Sequence, residues 1–145
     1  CSLQGTMNRF SGNPLVGLSR LEAAAEDGRL AALAEKHDLT LIVVFGSVVA
    51  GADDPNDLDV AVEPADDVNI VDLYADLIDL TGCEAVDVMD LRRAGVVARE
   101  AALGRGVPLF ETTAGHFAEQ QMIAVAERME TRWLRDVELE MLAGR

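Results

Sequence analysis

The apolar run Leu41-Ile42-Val43-Val44-Phe45 ends abruptly in Gly46-Ser47, and about ten residues later a second run opens on Asp57-Leu58-Asp59. Few folds accommodate that arrangement. Side chains of a strand alternate between its faces, so Asp57 and Asp59 share one face while Leu58, Val60 and Val62 share the other. Two carboxylates side by side repel unless a cation or a proton lies between them. A hard, oxygen-seeking ion such as Mg2+ suits that pair, because it commonly takes one or two carboxylates together with phosphate oxygens. The Gly46-Ser47 turn complements them. Glycine lets backbone come close to a ligand, and amide N–H groups at the start of a following helical turn can hold an anion. A phosphate cradle beside a metal clamp points to chemistry on a nucleoside triphosphate.

Taken singly, these features are ordinary: Gly-Ser after a strand is commonly a turn, and Asp-Xaa-Asp a solvated loop end. A third carboxylate tips the balance. Asp87 sits inside the apolar run Ala85-Val86-Asp87-Val88-Met89, where an unpaired buried charge costs several kcal/mol or forces protonation. It either faces water at an edge or shares a cation. If its strand lies beside the Asp57/Asp59 strand, three carboxylates converge on one metal site.

Gly46-Ser47, the Gly51 that closes the turn, Asp57-Leu58-Asp59 and Val86-Asp87-Val88 resemble the nucleotidyltransferases of the DNA polymerase beta superfamily. The small size is similar to the minimal nucleotidyltransferases, many of them encoded beside a HEPN-domain ribonuclease as its antitoxin. The resemblance runs from about Leu41 to about Glu111 and includes Leu91-Arg92-Arg93-Ala94 and Gly106–Glu111, which look like the family's post-strand turn and final short strand. It implies the nucleotidyltransferase fold, an α/β arrangement in which a short mixed sheet of about four strands is flanked by helices. It further implies transfer of AMP from ATP to a hydroxyl, a tyrosine of the cognate HEPN toxin, which silences the toxin. Asp57 and Asp59 would hold Mg2+, Gly46 and Ser47 would bind the β/γ oxygens, and Asp87 would complete a second metal position and help deprotonate the attacking hydroxyl. Asp57, Asp59 and Asp87 are thus the expected catalytic and metal residues. In one respect the chain departs: where the family's turn usually reads Gly-Ser-Xaa-Ala-Arg-Gly, Ala50 stands at the arginine position. Two other readings stay open. One is a small-molecule enzyme similar to the aminoglycoside nucleotidyltransferases, which usually carry a second domain. The other is an antitoxin that acts by binding alone.

The chain's 145 residues are enough for one domain with its own core, and half of them are hydrophobic. Aromatics are few, so Leu, Val and Ala must build that core. A balance of 26 acidic to 12 basic residues gives a net charge of −14. That argues against direct nucleic-acid binding, which needs a basic footprint, and favours a basic protein partner or simple solubility. Cys1 and Cys83 form no disulfide or zinc pattern, and no membrane span or signal peptide is evident, so a reduced, cytoplasmic setting is expected.

Residues 1–17 read as a flexible lead-in, with Cys1–Thr6 a non-native remnant ahead of Met7, residues 18–112 as the nucleotidyltransferase domain, and 113–145 as a C-terminal helix. Helix is expected over Ser19–His37 with a break at Gly28, and His37 is placed to suit the dipole at its end. Strands are expected at Thr40–Phe45, Leu58–Glu63, Glu84–Met89 and Val107–Glu111. Between them lies a helix, Val68–Leu80, opening on Asp66-Asp67, with a buried stripe of Val71, Tyr74, Ala75 and Ile78 and a solvated face of Asp72, Asp76 and Asp79. A short helix is expected at Val96–Leu103. Asp53 and Asp54 read as loop acids. Arg92, Arg93, Arg99 and Arg105 make a local basic patch, balanced by Glu100 or able to steer a triphosphate. Thr113–Leu142 reads as one long helix with an apolar stripe of Met122, Ala126, Met129, Trp133, Val137 and Met141. That stripe packs on the chain's own sheet, or its distal half Arg132–Met141 docks on another chain. His116, near its start, reads as a polar surface residue.

Overall fold

The computed structural model describes residues 13–144; the readings made on residues 1–12 lie outside that span. Helix α1 (Pro14–Asp27) and α2 (Arg29–Lys36) are followed by β1 (Leu39–Phe45), β2 (Leu58–Pro64), α3 (Ile70–Thr81), β3 (Val86–Asp90), α4 (Val96–Gly104), β4 (Val107–Glu111) and α5 (His116–Ala143). The strands form one mixed sheet in the order β3-β2-β1-β4, with β2 and β3 parallel and the other neighbours antiparallel.

The sheet lies between two helical layers because its central strands are apolar on both faces. Ile42 and Val44 of β1, with Leu58, Val60 and Val62 of β2, join the core formed with α1, α2 and α3. Leu41, Val43 and Ala61 face the other way, toward Ala102, Leu103 and Ala124 of α4 and α5. Among the described residues every fully buried core side chain is aliphatic or Cys83.

α1 begins at Pro14, inside the stretch read as lead-in. Asn13 and Pro14, taken there as loop formers, are helix-start signals. The Asn13 side chain accepts from the Leu15 amide at 3.0 Å, and Pro14 occupies the first turn. Gly17 is buried, and a Cβ there would lie 2.9 Å from Leu58 Cδ2 and 3.1 Å from Cys83 Cβ. The absence of a side chain therefore lets α1 sit directly on β2. The break at Gly28 is as expected, with the glycine at φ +91° between α1 and α2.

Two helical stripes differ from the sequence reading. In α3 the buried residues are Leu73, Leu77 and Thr81, while Val71 is 75% exposed. Both sets repeat at helical spacing, so periodicity alone does not choose between them; the packing of Leu73 and Leu77 into the core does. The helix is capped by Asn69, whose side chain accepts from the Asp72 amide, rather than by Asp66 or Asp67. In α5 only Ala124 is fully buried. The predicted stripe faces solvent instead of the sheet, with Met122, Met129, Trp133 and Met141 each more than three-fifths exposed. The helix packs chiefly on α4, through the side that carries Phe117, Gln121 and Ala124.

Both histidines are structural fasteners. His37 is nearly buried and its Nε2 lies 2.6 Å from Asp76 Oδ2, joining the end of α2 to α3. Asp76 is therefore not a solvated acid; its bonds to Lys36 and His37 hold its carboxyl below the usual carboxylate range. His116 pairs with Glu63 of β2, which also accepts from Thr40 Oγ1, so the start of α5 is tied to the sheet rather than free at the surface.

Leu77→Ala is expected to destabilise the chain by about 2–5 kcal/mol, whereas Val71→Ala should cost less than about 0.5 kcal/mol. Urea unfolding of the two variants measures both. Equal losses would contradict the stripe assigned to α3.

Candidate functional site

The sheet register brings the three aspartates together. β2 and β3 run parallel with Asp59 opposite Asp87 and Leu58 opposite Val86. Leu58 and Val86 turn into the core, so Asp59 and Asp87 share the opposite face. Asp57 immediately precedes β2, two residues before Asp59, at the same sheet end. On its other side Asp59 is paired with Phe45, the last residue of β1. Asp57 and Asp87 are exposed and Asp59 is half-buried. Burial, followed by the charges of Asp87 and Asp57, pushes the Asp59 carboxyl above its ordinary range. Like charges are being held together by the fold against their own repulsion.

Gly46 sits directly over Asp59. It follows β1 at φ +81°, and a Cβ there would fall 2.2 Å from Asp59 Oδ2. Both the conformation and the space exclude a side chain. From Gly46 the backbone closes one helical turn, the amides of Val49 and Ala50 donating to the Gly46 carbonyl at 3.1 and 3.0 Å. Ser47 follows Gly46 on that turn and is exposed.

Beyond the turn opens a cavity of about 790 Å³, lined by Gly46, Val49, Ala50, Glu100, Arg105 and Arg132 among others. Arg132 is a lining residue that the sequence reading placed only on a docking helix, and nothing in its local sequence marks it. The basic patch itself is dispersed. Arg99 donates to the Leu91 carbonyl and to Gln120 Oε1. Arg93 pairs with Asp90 at 3.8 Å. Arg92 and Arg93 border a separate hollow with Asp66 and Asp67. Only Arg105 of the four reaches the cavity beside Gly46. Asp53 and Asp54 stay on the exposed loop.

Among the described residues no group of three or more His, Cys, Asp or Glu side chains is disposed to hold a metal ion by itself. The donor set at Asp59 is nonetheless all oxygen, negatively charged and mutually repelling. Those are the properties that suit Mg2+, which completes its coordination with phosphate and water rather than with a full protein cage. Among the described residues no helix is long and apolar enough to cross a membrane.

Residues 29–114 match the family model described as polymerase beta, nucleotidyltransferase. No curated protein matches the sequence. Among solved structures, a toxin–antitoxin crystallised with AMP-PNP aligns with a TM-score of 0.64 at 23% identity, over 80% of this chain and 97% of the other. The complex of a tri-AMPylated Shewanella oneidensis HEPN toxin with an MNT antitoxin gives 0.61 at 21% identity, over 83% and 98%. A toxin–antitoxin named MntA–HepT gives 0.59 at 21% identity, over 80% and 95%. At these identities the likeness establishes the fold.

The raised pKa of Asp59 has a definite sign for stability. The folded state binds that proton more tightly than the unfolded chain does. Ionisation of Asp59 therefore costs stability in full above the raised value, and the cost disappears as pH falls to the ordinary carboxylate value. Asp59→Asn should accordingly raise the Tm at neutral pH, with a gain that shrinks on acidification through that window. Thermal scans of both proteins across the acid range check this. A gain independent of pH would contradict it.

Proposed function

The chain belongs to the polymerase beta nucleotidyltransferase family, and on that premise we propose that it is an antitoxin that transfers AMP from ATP to a hydroxyl of a cognate HEPN toxin. The observation that carries the reading is the convergence of Asp57, Asp59 and Asp87 beneath the Gly46-Ser47 turn, next to a cavity large enough for a nucleotide. Support for the partner comes from two features. Relatives of the same fold were crystallised as toxin–antitoxin complexes, one of them with the HEPN toxin AMPylated. From Met129 onward, moreover, α5 presents Met129, Trp133, Leu134 and Met141 to solvent on one side, an apolar surface suited to another chain.

In this reading Asp57 and Asp59 would hold Mg2+, and Asp87 offers the further oxygen donors that a second ion would need. Mg2+ bound there would neutralise charge on the phosphoryl oxygens as it develops. The protein's own groups do the rest. Gly46 and Ser47 position the β/γ oxygens, so that the scissile bond lies over Asp59. The toxin hydroxyl, a tyrosine, attacks the α-phosphorus; a new P–O bond forms, the α–β bridging bond breaks, and pyrophosphate leaves. The hydroxyl proton passes to Asp87, whose carboxylate is exposed to an incoming group.

Incubation with ATP, Mg2+ and the HEPN protein encoded beside it, followed by intact mass, is expected to show one or more added AMP units on that protein. Asp57→Ala and Asp59→Ala should each lower the transfer by roughly a hundredfold or more. A stable complex with no added mass would mean that the antitoxin acts by binding alone. Neither complex nor added mass would turn the search to a small-molecule acceptor.

A further inference from the structure

Resting on the nucleotidyltransferase reading, we propose that Arg105 and Arg132 bind the triphosphate tail of the nucleotide, replacing the turn arginine whose position Ala50 occupies. Ala50, Arg105 and Arg132 line the same cavity. The three come from distant parts of the chain: Ala50 from the turn after β1, Arg105 from the C-terminal end of α4, and Arg132 from the middle of α5. An arginine at position 50 would place its guanidinium in this space. With alanine at that position, the fold instead brings Arg105 and Arg132 to the same lining.

Charge and partnership favour the assignment. In a chain with 26 acidic and 12 basic residues, most surfaces repel a triphosphate. The cavity lining itself carries two arginines against one carboxylate, Glu100. Arg29, Arg93 and Arg99 are engaged with Asp27, Asp90 and the Leu91 carbonyl. Among the described residues neither Arg105 nor Arg132 makes an ion pair or hydrogen bond within the chain, so both forks are available to phosphate, which a guanidinium can hold through two parallel bonds.

Position gives the direction of the tail. Gly46 is the wall shared between the Asp59 carboxylate and the cavity. In this proposal the reacting phosphate accordingly lies over Asp59 and the leaving pyrophosphate on the cavity side of Gly46. The two arginines would then hold the leaving group rather than the nucleoside, and would serve as positioning and specificity residues for the triphosphate.

The test is calorimetric binding of ATP with Mg2+, and separately of AMP, to the full chain. Arg105→Ala and Arg132→Ala should each weaken ATP binding about tenfold and leave AMP binding within about twofold. Arg135→Ala, exposed on the same helix, should change neither. Ala50→Arg added to the double variant should restore most of the lost ATP affinity. Both arginines are exposed, so folding is preserved, and thermal scans of each variant verify it. Unchanged ATP affinity in the double variant, equal losses for ATP and AMP, or failure of Ala50→Arg to restore binding would each overturn the inference while leaving the transferase reading in place. A wild-type chain that binds no ATP would remove that reading, and this inference with it.

Discussion

Everything at the site depends on the packing of β1 and β2 between two helical layers. Leu41, Ile42, Val43 and Val44 of β1 and Leu58, Val60, Ala61 and Val62 of β2 are essentially inaccessible to solvent. Each buried aliphatic side chain contributes about 1.5–3 kcal/mol. That burial fixes the register, because a slip of one residue would turn Asp59 into the core and Leu58 out of it. With the register fixed, Asp59 is held half-buried beside Asp87 and Asp57, and burial first, then their charges, raises its pKa.

The same packing explains how the site is divided. The face of the sheet covered by α1, α2 and α3 is closed, helped by Gly17 where α1 meets β2. The opposite face is covered only in part by α4 and α5, and the cavity beside Gly46 lies on that side. α5 therefore has two roles on different sides. Its inner side, with Phe117, Gln121 and Ala124, holds the domain together; its outer side remains apolar and exposed. Arg132, between Met129 and Trp133 in sequence, brings the cavity beside Gly46 and the exposed apolar residues onto adjoining turns of one helix.

Much of this was legible in the sequence. The four strands, the break at Gly28 and the long C-terminal helix follow from apolar run length, glycine placement and helix-forming composition. The close approach of Gly46 to Asp59 follows from strand alternation and the room that glycine leaves. The departures have physical causes. Asn13 and Pro14 serve equally as loop formers and as helix starters, and only the chain that follows decides. α3 offers two apolar stripes, and which of them meets the core is decided only by tertiary packing. His37, Asp76, Glu63 and His116 look like surface polar residues until distant partners are brought within hydrogen-bonding distance.

The sequence by itself determined which residues could do the chemistry, because the side chains that can share a cation or approach a phosphate are set by residue type and strand period. Tertiary structure alone decided which of them meet. Asp87 joins Asp59 only through the parallel β2–β3 pairing, a non-local contact that no periodicity encodes. Of the four clustered arginines one reaches the cavity, and its companion Arg132 arrives on a helix far along the chain. Local pattern is written every two or four residues; the meeting of residues far apart is settled by how layers pack, and there the sequence speaks only through the fold.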